Sequence, residues 1–199
     1  GVATAMNRLS KNEKKKEIKL IDHSKMNYPM FRKNFYVESP AVANMSKEDL
    51  AAALEISEIT IRGKNPPRPI TSWEECGLSQ KILETIRTNG WDTPFAIQRQ
   101  ALPAIMSGRD VMGVAQTGSG KTSAYLIPMI RHVKDQPPVQ QGQGPIALIV
   151  APTRELATQI QKEVNRFKKP LNVECVCLYG GQNVGDQISA MRKGVAVVV

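Results

Sequence analysis

Cysteine is sparse in this chain. Cys76, Cys175 and Cys177 are odd in number and form no Cys-x-x-Cys pair, which argues against a disulfide framework and against a thiolate metal site. Free, buried thiols are expected instead, and Cys175 and Cys177, two apart on an expected strand, face the same side. Long apolar runs are missing too: none approaches the length of a membrane span, and no signal-peptide pattern opens the chain. A soluble, intracellular protein is expected. No internal repeat stands out. Acidic residues are short in one region above all, since residues 1–33 carry nine Lys or Arg against three acids, whereas the remainder contributes only +3 of the net +9. Such an arm suits a phosphate-rich partner or is simply a solvated tail. What is present is 41% apolar residues in 199, enough for a real core.

The chain is organised around Val111 to Thr122, which reads VMGVAQTGSGKT. An apolar run that suits a buried strand feeds a glycine-rich turn, and Tyr125, Leu126, Met129, Ile130 and Val133 follow at helical spacing. This is the strand, loop and helix context of a phosphate-binding loop. Gly118 and Gly120 let backbone N–H groups turn inward around a polyphosphate, at which the next helix points its partly positive end. Lys121 reaches terminal phosphates, and the Thr122 hydroxyl suits a magnesium ion. The generic pattern's first glycine is replaced by Ala115.

Residues 1–45 read as a basic, largely extended arm, with a possible helical piece at 14–20. Its aromatic cluster, Tyr28 to Tyr36, must bury against the main domain or a partner. Residues 46–70 hold a helix from Lys47 to Ser57, capped by Ser46 with Asp49, a strand-like piece from Ile59 to Arg62, and a crossing with three prolines. From 71 to 199 helices and strands alternate. Expected helices run from Ser79 to Asn89, from a Thr93 cap to Met106, from Gly120 with a bend at Pro128, from Arg154 to Phe167 and around Asp186 to Met191. Expected strands are Val111 to Ala115, Ile146 to Ala151, Val173 to Leu178 and Val195 to Val199, and 136–145 is expected to be a mobile loop. That pattern gives an α/β fold, a parallel sheet with helices on both faces.

A second site precedes the loop. The stretch GWDTPFAIQ, Gly90 to Gln98, offers an amide that matches the donor and acceptor edge of adenine and an indole that can stack on the base. On pattern alone Trp91 reads more readily as a core aromatic and Gln98 as a solvated helix residue. Taken together, GWDTPFAIQ, AQTGSGKT, PTRELA (152–157) and Gly180-Gly181 resemble, in order, the first half of a DEAD-box ATP-dependent RNA helicase. The resemblance covers Trp73 to Val199. It implies a RecA-like phosphate-loop domain in which Trp73, Trp91 and Gln98 bind adenine, and Gln116, Thr117, Gly118, Ser119, Gly120, Lys121 and Thr122 hold the phosphates and Mg2+ of ATP. It also implies that Pro152, Thr153, Arg154, Gly180 and Gly181 lie along single-stranded or short duplex RNA. An Arg154–Glu155 pair at a helix start is the other reading of that segment.

Phe95 departs from the family, where Thr or Ser follows the proline, and Thr93 is expected to take over the cap. Flanking stretches FRKNFY (31–36), ITIRG (59–63) and ALPAIMSGRD (101–110) look most like the family's splicing branch. This implies a nuclear enzyme of pre-mRNA splicing that meets small nuclear ribonucleoprotein components through its arm. A related branch in transcription and ribosome assembly shares much of the pattern, and a non-catalytic docking or scaffold role is the alternative from another class. No Asp-Glu-Ala-Asp occurs, so the RecA-like domain is expected to be incomplete at its C-terminal end and this segment alone to be inactive.

Overall fold

Residues 20–28 and 30–199 are described by a computed structural model in which the chain divides into two compact units, Gly1–Met30 and Phe31–Val199. The helical piece expected at 14–20 lies outside the described residues except for Leu20, which is in no helix. In the first unit Asp22 accepts from the Ser24 N–H and caps a single 3-10 turn, His23–Lys25.

The second unit opens with FRKNFY. The Phe35 and Tyr36 N–H groups both donate to the Met106 carbonyl, at 2.7 and 3.0 Å. The Phe35 ring is buried between the guanidinium groups of Arg32 and Arg131, whose carbons lie 4.4 and 4.3 Å from its centroid, with His132 edge-on at 4.7 Å. Asp135 pairs with both arginines. The aromatic cluster thus finds its burial partner, through Phe35, in the domain itself.

Two short helices follow, α1 (Pro40–Ala43) and α2 (Lys47–Ile56). Ser46 caps α2 by accepting from the Asp49 N–H at 3.0 Å. Ile59 to Arg62 stays extended without forming a strand. The proline-rich crossing is fastened by Arg68, whose Nη1 donates to the carbonyls of Val42, Ala43 and Met45 where α1 ends.

Beyond it stand α3 (Gln80–Thr88), α4 (Ala96–Met106) and α5 (Lys121–Asp135). Then come β1 (Ala147–Leu148), α6 (Arg154–Asn165), α7 (Lys168–Leu171), β2 (Cys175–Val176), α8 (Val184–Arg192) and β3 (Val197–Val198). The sheet is parallel, in the order β1-β3-β2, with Ala147 and Cys175 both opposite Val197. Backbone bonds carry the pairing past these short strands, from Ile149 N–H to Val198 and from Leu178 N–H to Val199. Val197 and Val198 point to opposite faces and both are buried, so β3 is covered on its two sides.

Two expectations are corrected. Val111–Ala115 is extended but has no ladder partner among the described residues, and Met112 and Val114 are about nine-tenths exposed. A strand needs a neighbouring backbone, and an apolar run alone does not supply one. Helix α5 is continuous through Pro128, which removes one donor without ending the helix. The Thr93 cap does not form either. Phe95 is the N-cap of α4, and its N–H is taken by the Gln98 Oε1 at 2.8 Å. The 136–145 loop is tethered where Gly142 N–H donates to the Arg192 carbonyl.

Burial pushes the Cys76 and Cys175 thiols up to about 12, which keeps both protonated and unreactive. Removing the Phe35 ring is expected to cost about 3–5 kcal/mol. Denaturant unfolding of Phe35→Ala, with the midpoint read by far-UV circular dichroism, tests whether the arm segment is part of the folded domain.

Candidate nucleotide site and nucleic-acid interface

The glycine loop leads into α5 through Gly120, which adopts φ +84 and gives the helix no side-chain cap. The first N–H groups of a 15-residue helix are thereby left without side-chain acceptors and face the loop. Gly118 has φ +82, and a Cβ built there meets nothing within 4 Å. The space above the loop is therefore open, and an anion at this end of α5 meets both bare donors and the favourable end of the helix dipole.

Inside the loop the Gln116 carbonyl is a hub. It accepts from the Ser119 hydroxyl at 2.8 Å and from the Lys121 ammonium, which also reaches the Ala115 carbonyl. Lys121 is thus folded back on its own loop and must leave two neutral acceptors to meet a phosphate. Thr117 is exposed at the tip, and Thr122 is half-buried at the second position of α5. These donors fit a polyphosphate, and the Thr122 hydroxyl at the start of α5 is an oxygen ligand suited to a hard cation such as Mg2+.

Gln98 is only 3% exposed, and its amide is used at both ends. Its Oε1 accepts from the Phe95 N–H, and its Nε2 donates to the Gly120 carbonyl at 3.1 Å. The residue expected to read a base is therefore bonded directly to the residue that starts the phosphate-loop helix. Sequence reasoning missed the part played by Phe95, whose ring lies against Gly120: a Cβ at Gly120 would stand 2.7 Å from the ring and 2.5 Å from the Gln98 Nε2.

Trp91 is half-buried. It tilts at 52° against Phe167, and the Arg166 guanidinium lies 5.9 Å from its ring centre. Trp73 is 4% exposed. Its indole N–H donates to the Trp91 carbonyl at 2.9 Å, so it holds the turn that carries Trp91.

The other group of expected residues gathers elsewhere. Pro152, Thr153, Arg154, Gly180 and Gly181 are all exposed. Thr153 caps α6 by accepting from the Leu156 N–H at 3.2 Å, which leaves its hydroxyl hydrogen to donate outward. Arg154, the first residue of the helix, forms no ion pair with Glu155 or any other carboxylate among the described residues. Its guanidinium lies against Gly181, where a Cβ would come within 3.1 Å, and over the Tyr179 ring at 5.9 Å. The Tyr beside the glycine pair was the signal in the sequence that passed unread.

Comparison with known proteins gives one consistent answer. A family described as DEAD/DEAH box helicase matches residues 95–199. The chain is similar to the pre-mRNA-processing ATP-dependent RNA helicase prp5 of Aspergillus terreus, at 52% identity over 96% of this chain and 16% of that protein. It is also similar to the DEAD-box ATP-dependent RNA helicase 42 of Arabidopsis thaliana, at 49% identity over 95% of this chain and 16% of that protein. The chain spans 16–18% of the length of the curated relatives it matches. Among solved structures, the RNA helicase Prp28 of Chaetomium thermophilum bound to ADP superposes with a TM-score of 0.72. It is 38% identical to this chain and covers 78% of it, while the chain covers 38% of Prp28.

The two loop glycines separate in a testable way. Gly120→Ala meets both a positive φ and the Gln98–Phe95 contact, whereas Gly118→Ala meets the φ alone. Thermal unfolding is expected to show Gly120→Ala costing more than Gly118→Ala, by about 1–3 kcal/mol.

Proposed function

Because the chain belongs to the DEAD/DEAH box helicase family, we propose that it forms the ATP- and RNA-binding first RecA-like unit of an ATP-dependent RNA helicase that acts in pre-mRNA splicing. The observation that carries the reading is the coexistence, in one parallel α/β unit, of two helix N-termini suited to anions. One is bare and follows a glycine loop bonded to a buried amide, and the other is capped by Thr153 and carries Arg154, which forms no ion pair among the described residues.

In this reading Lys121 exchanges the carbonyls of Ala115 and Gln116 for the terminal phosphates, while backbone donors from Gly118 to Thr122 hold the rest. The Thr122 hydroxyl is the protein's ligand to Mg2+, which would supply charge neutralisation at the phosphates. Gln98 reads the adenine edge, with Trp91 against the base. Thr153, Arg154 and the backbone of Pro152, Gly180 and Gly181 take the sugar-phosphate backbone of single-stranded or short duplex RNA, a set of contacts that positions without reading sequence. Binding at the two sites of one rigid unit couples the nucleotide state to RNA, and the enzyme remodels RNA–RNA or RNA–protein contacts. The splicing assignment, the nuclear location and partners among small nuclear ribonucleoprotein components rest on the flanking stretches and on the printed role of the Aspergillus relative.

The test is ATP hydrolysis by the full-length protein that carries this chain, with and without single-stranded RNA and with GTP as control. RNA stimulation specific to ATP is expected. Lys121→Ala is expected to lower the RNA-stimulated rate by about a hundredfold or more, and an unchanged rate in that variant overturns the assignment of the loop.

A further inference from the structure

Arg154 occupies the first position of α6, where a cation opposes the helix dipole. Among the described residues no carboxylate neutralises it and no hydrogen bond engages its guanidinium. A long, rotamer-rich side chain in that position ordinarily swings free in water. Here it does not. The guanidinium rests on Gly181, whose φ of +88 turns its Cα toward the arginine and whose missing Cβ leaves room at about 3.1 Å for Nη2. On the same side the Tyr179 ring centre stands 5.9 Å from the guanidinium carbon, at the outer limit of a cation–π contact.

Tyr179 is itself held in place at three points. Gln187 of α8 clasps its main chain as a neighbouring strand would, its Oε1 accepting from the Tyr179 N–H at 3.1 Å and its Nε2 donating to the Tyr179 carbonyl at 3.2 Å. The phenol oxygen accepts from the Gln182 Nε2 at 2.6 Å. Asn183 caps α8 between the two glutamines, accepting from the Gly185 N–H at 2.9 Å. The two glycines beside Tyr179 are not equivalent, because a Cβ at Gly180 meets nothing within 4 Å while one at Gly181 meets the guanidinium.

We infer that Tyr179 is a positioning residue for Arg154: with the Gly181 backbone it fixes the guanidinium beside the α6 N-terminus, so that its donors meet an RNA phosphate without first being ordered. The inference rests on the reading of Arg154 as an RNA-backbone contact. Preorganised donors lose less freedom on binding, so the gain appears as affinity for RNA of any sequence. In this role Tyr179 acts through Arg154, which sets it apart from an aromatic that stacks a base.

The experiment is the binding of fluorescent oligouridine to the full-length protein that carries this chain, in the presence of a non-hydrolysable ATP analogue and across a salt series. Arg154→Ala is expected to weaken binding and to flatten the salt dependence by about 0.7 of a logarithmic slope unit, the value of one phosphate on a single strand. Tyr179→Ala is expected to weaken binding about two- to fivefold, the range of an exposed cation–π contact, while Tyr179→Phe keeps near-normal affinity. Tyr179→Leu, which retains an apolar body without the ring, is expected to behave like Tyr179→Ala and replaces it if the alanine variant does not fold. In the Arg154→Ala background, removing the ring is expected to change little. If the two losses multiply, or if Tyr179→Leu binds like the unsubstituted protein, the positioning role is overturned. If Arg154→Ala itself binds normally with an unchanged salt slope, the fault lies with the RNA-backbone reading instead.

Discussion

The hydrogen bond from the Gln98 amide to the Gly120 carbonyl is the contact on which the rest of this unit depends. A buried primary amide is costly unless its donor and acceptor are both used, and Gln98 meets that demand by accepting from the Phe95 N–H as well. The start of α4 and the start of α5 are therefore locked to one another through a single side chain. This explains why Gly120 admits no Cβ, since both Gln98 and Phe95 have closed over it. It also explains how α4 begins without a side-chain cap: Gln98, three residues into the helix, reaches back and performs half of a capping box alone.

The same pair of helices is tied at its opposite end by the arm. The Phe35 and Tyr36 N–H groups take the Met106 carbonyl at the end of α4, and the Phe35 ring sits on Arg131 and His132 in the last turns of α5. Helix α4 closes on a glycine cap, with Gly108 at φ +75 donating to the Ile105 carbonyl and Arg109 N–H donating to the Ala104 carbonyl, and FRKNFY takes the neighbouring Met106 carbonyl. The segment that looked like an interaction motif in the sequence is, at Phe35 and Tyr36, a structural clasp. Basic residues in it need not face a partner either, because Arg32 is stacked on Phe35 and paired with Asp135.

Much of this was legible in the sequence, and the misses have physical causes. Helix α2 was readable from Ser46 and Asp49 because its capping is local, as was the close of α3 at Gly90, which takes φ +70. The phosphate loop was readable because its chemistry fixes residue types at fixed spacing. Three features could not be read because they depend on contacts distant in the chain. Val111–Ala115 looks like a strand in composition, but pairing is a property of its neighbours. Trp73 gave no sign of its bond partner, because its indole N–H donates to the Trp91 carbonyl eighteen residues away. Tyr179 stands beside the glycine pair in the sequence, but its part could be read only once the fold brought Gln187 and Arg154 to it.

The arithmetic of the Gln98 amide bears on its proposed second task. An amide nitrogen carries two hydrogens and an amide oxygen two lone pairs. The loop contact uses one hydrogen and the Phe95 contact one lone pair, which leaves one donor and one acceptor. Those are what the adenine edge requires, an acceptor for the amino group and a donor for the neighbouring ring nitrogen. Base reading and loop anchoring are thus compatible in a single side chain, and neither bond holding α4 to α5 has to break. Guanine offers acceptors at both positions of that edge, so the amide oxygen would face another oxygen with no hydrogen between them, and the amide cannot answer by flipping, because the Phe95 N–H and the Gly120 carbonyl already dictate which end is oxygen and which is nitrogen. On this argument the preference for adenine comes from the fold around Gln98 as much as from the glutamine itself.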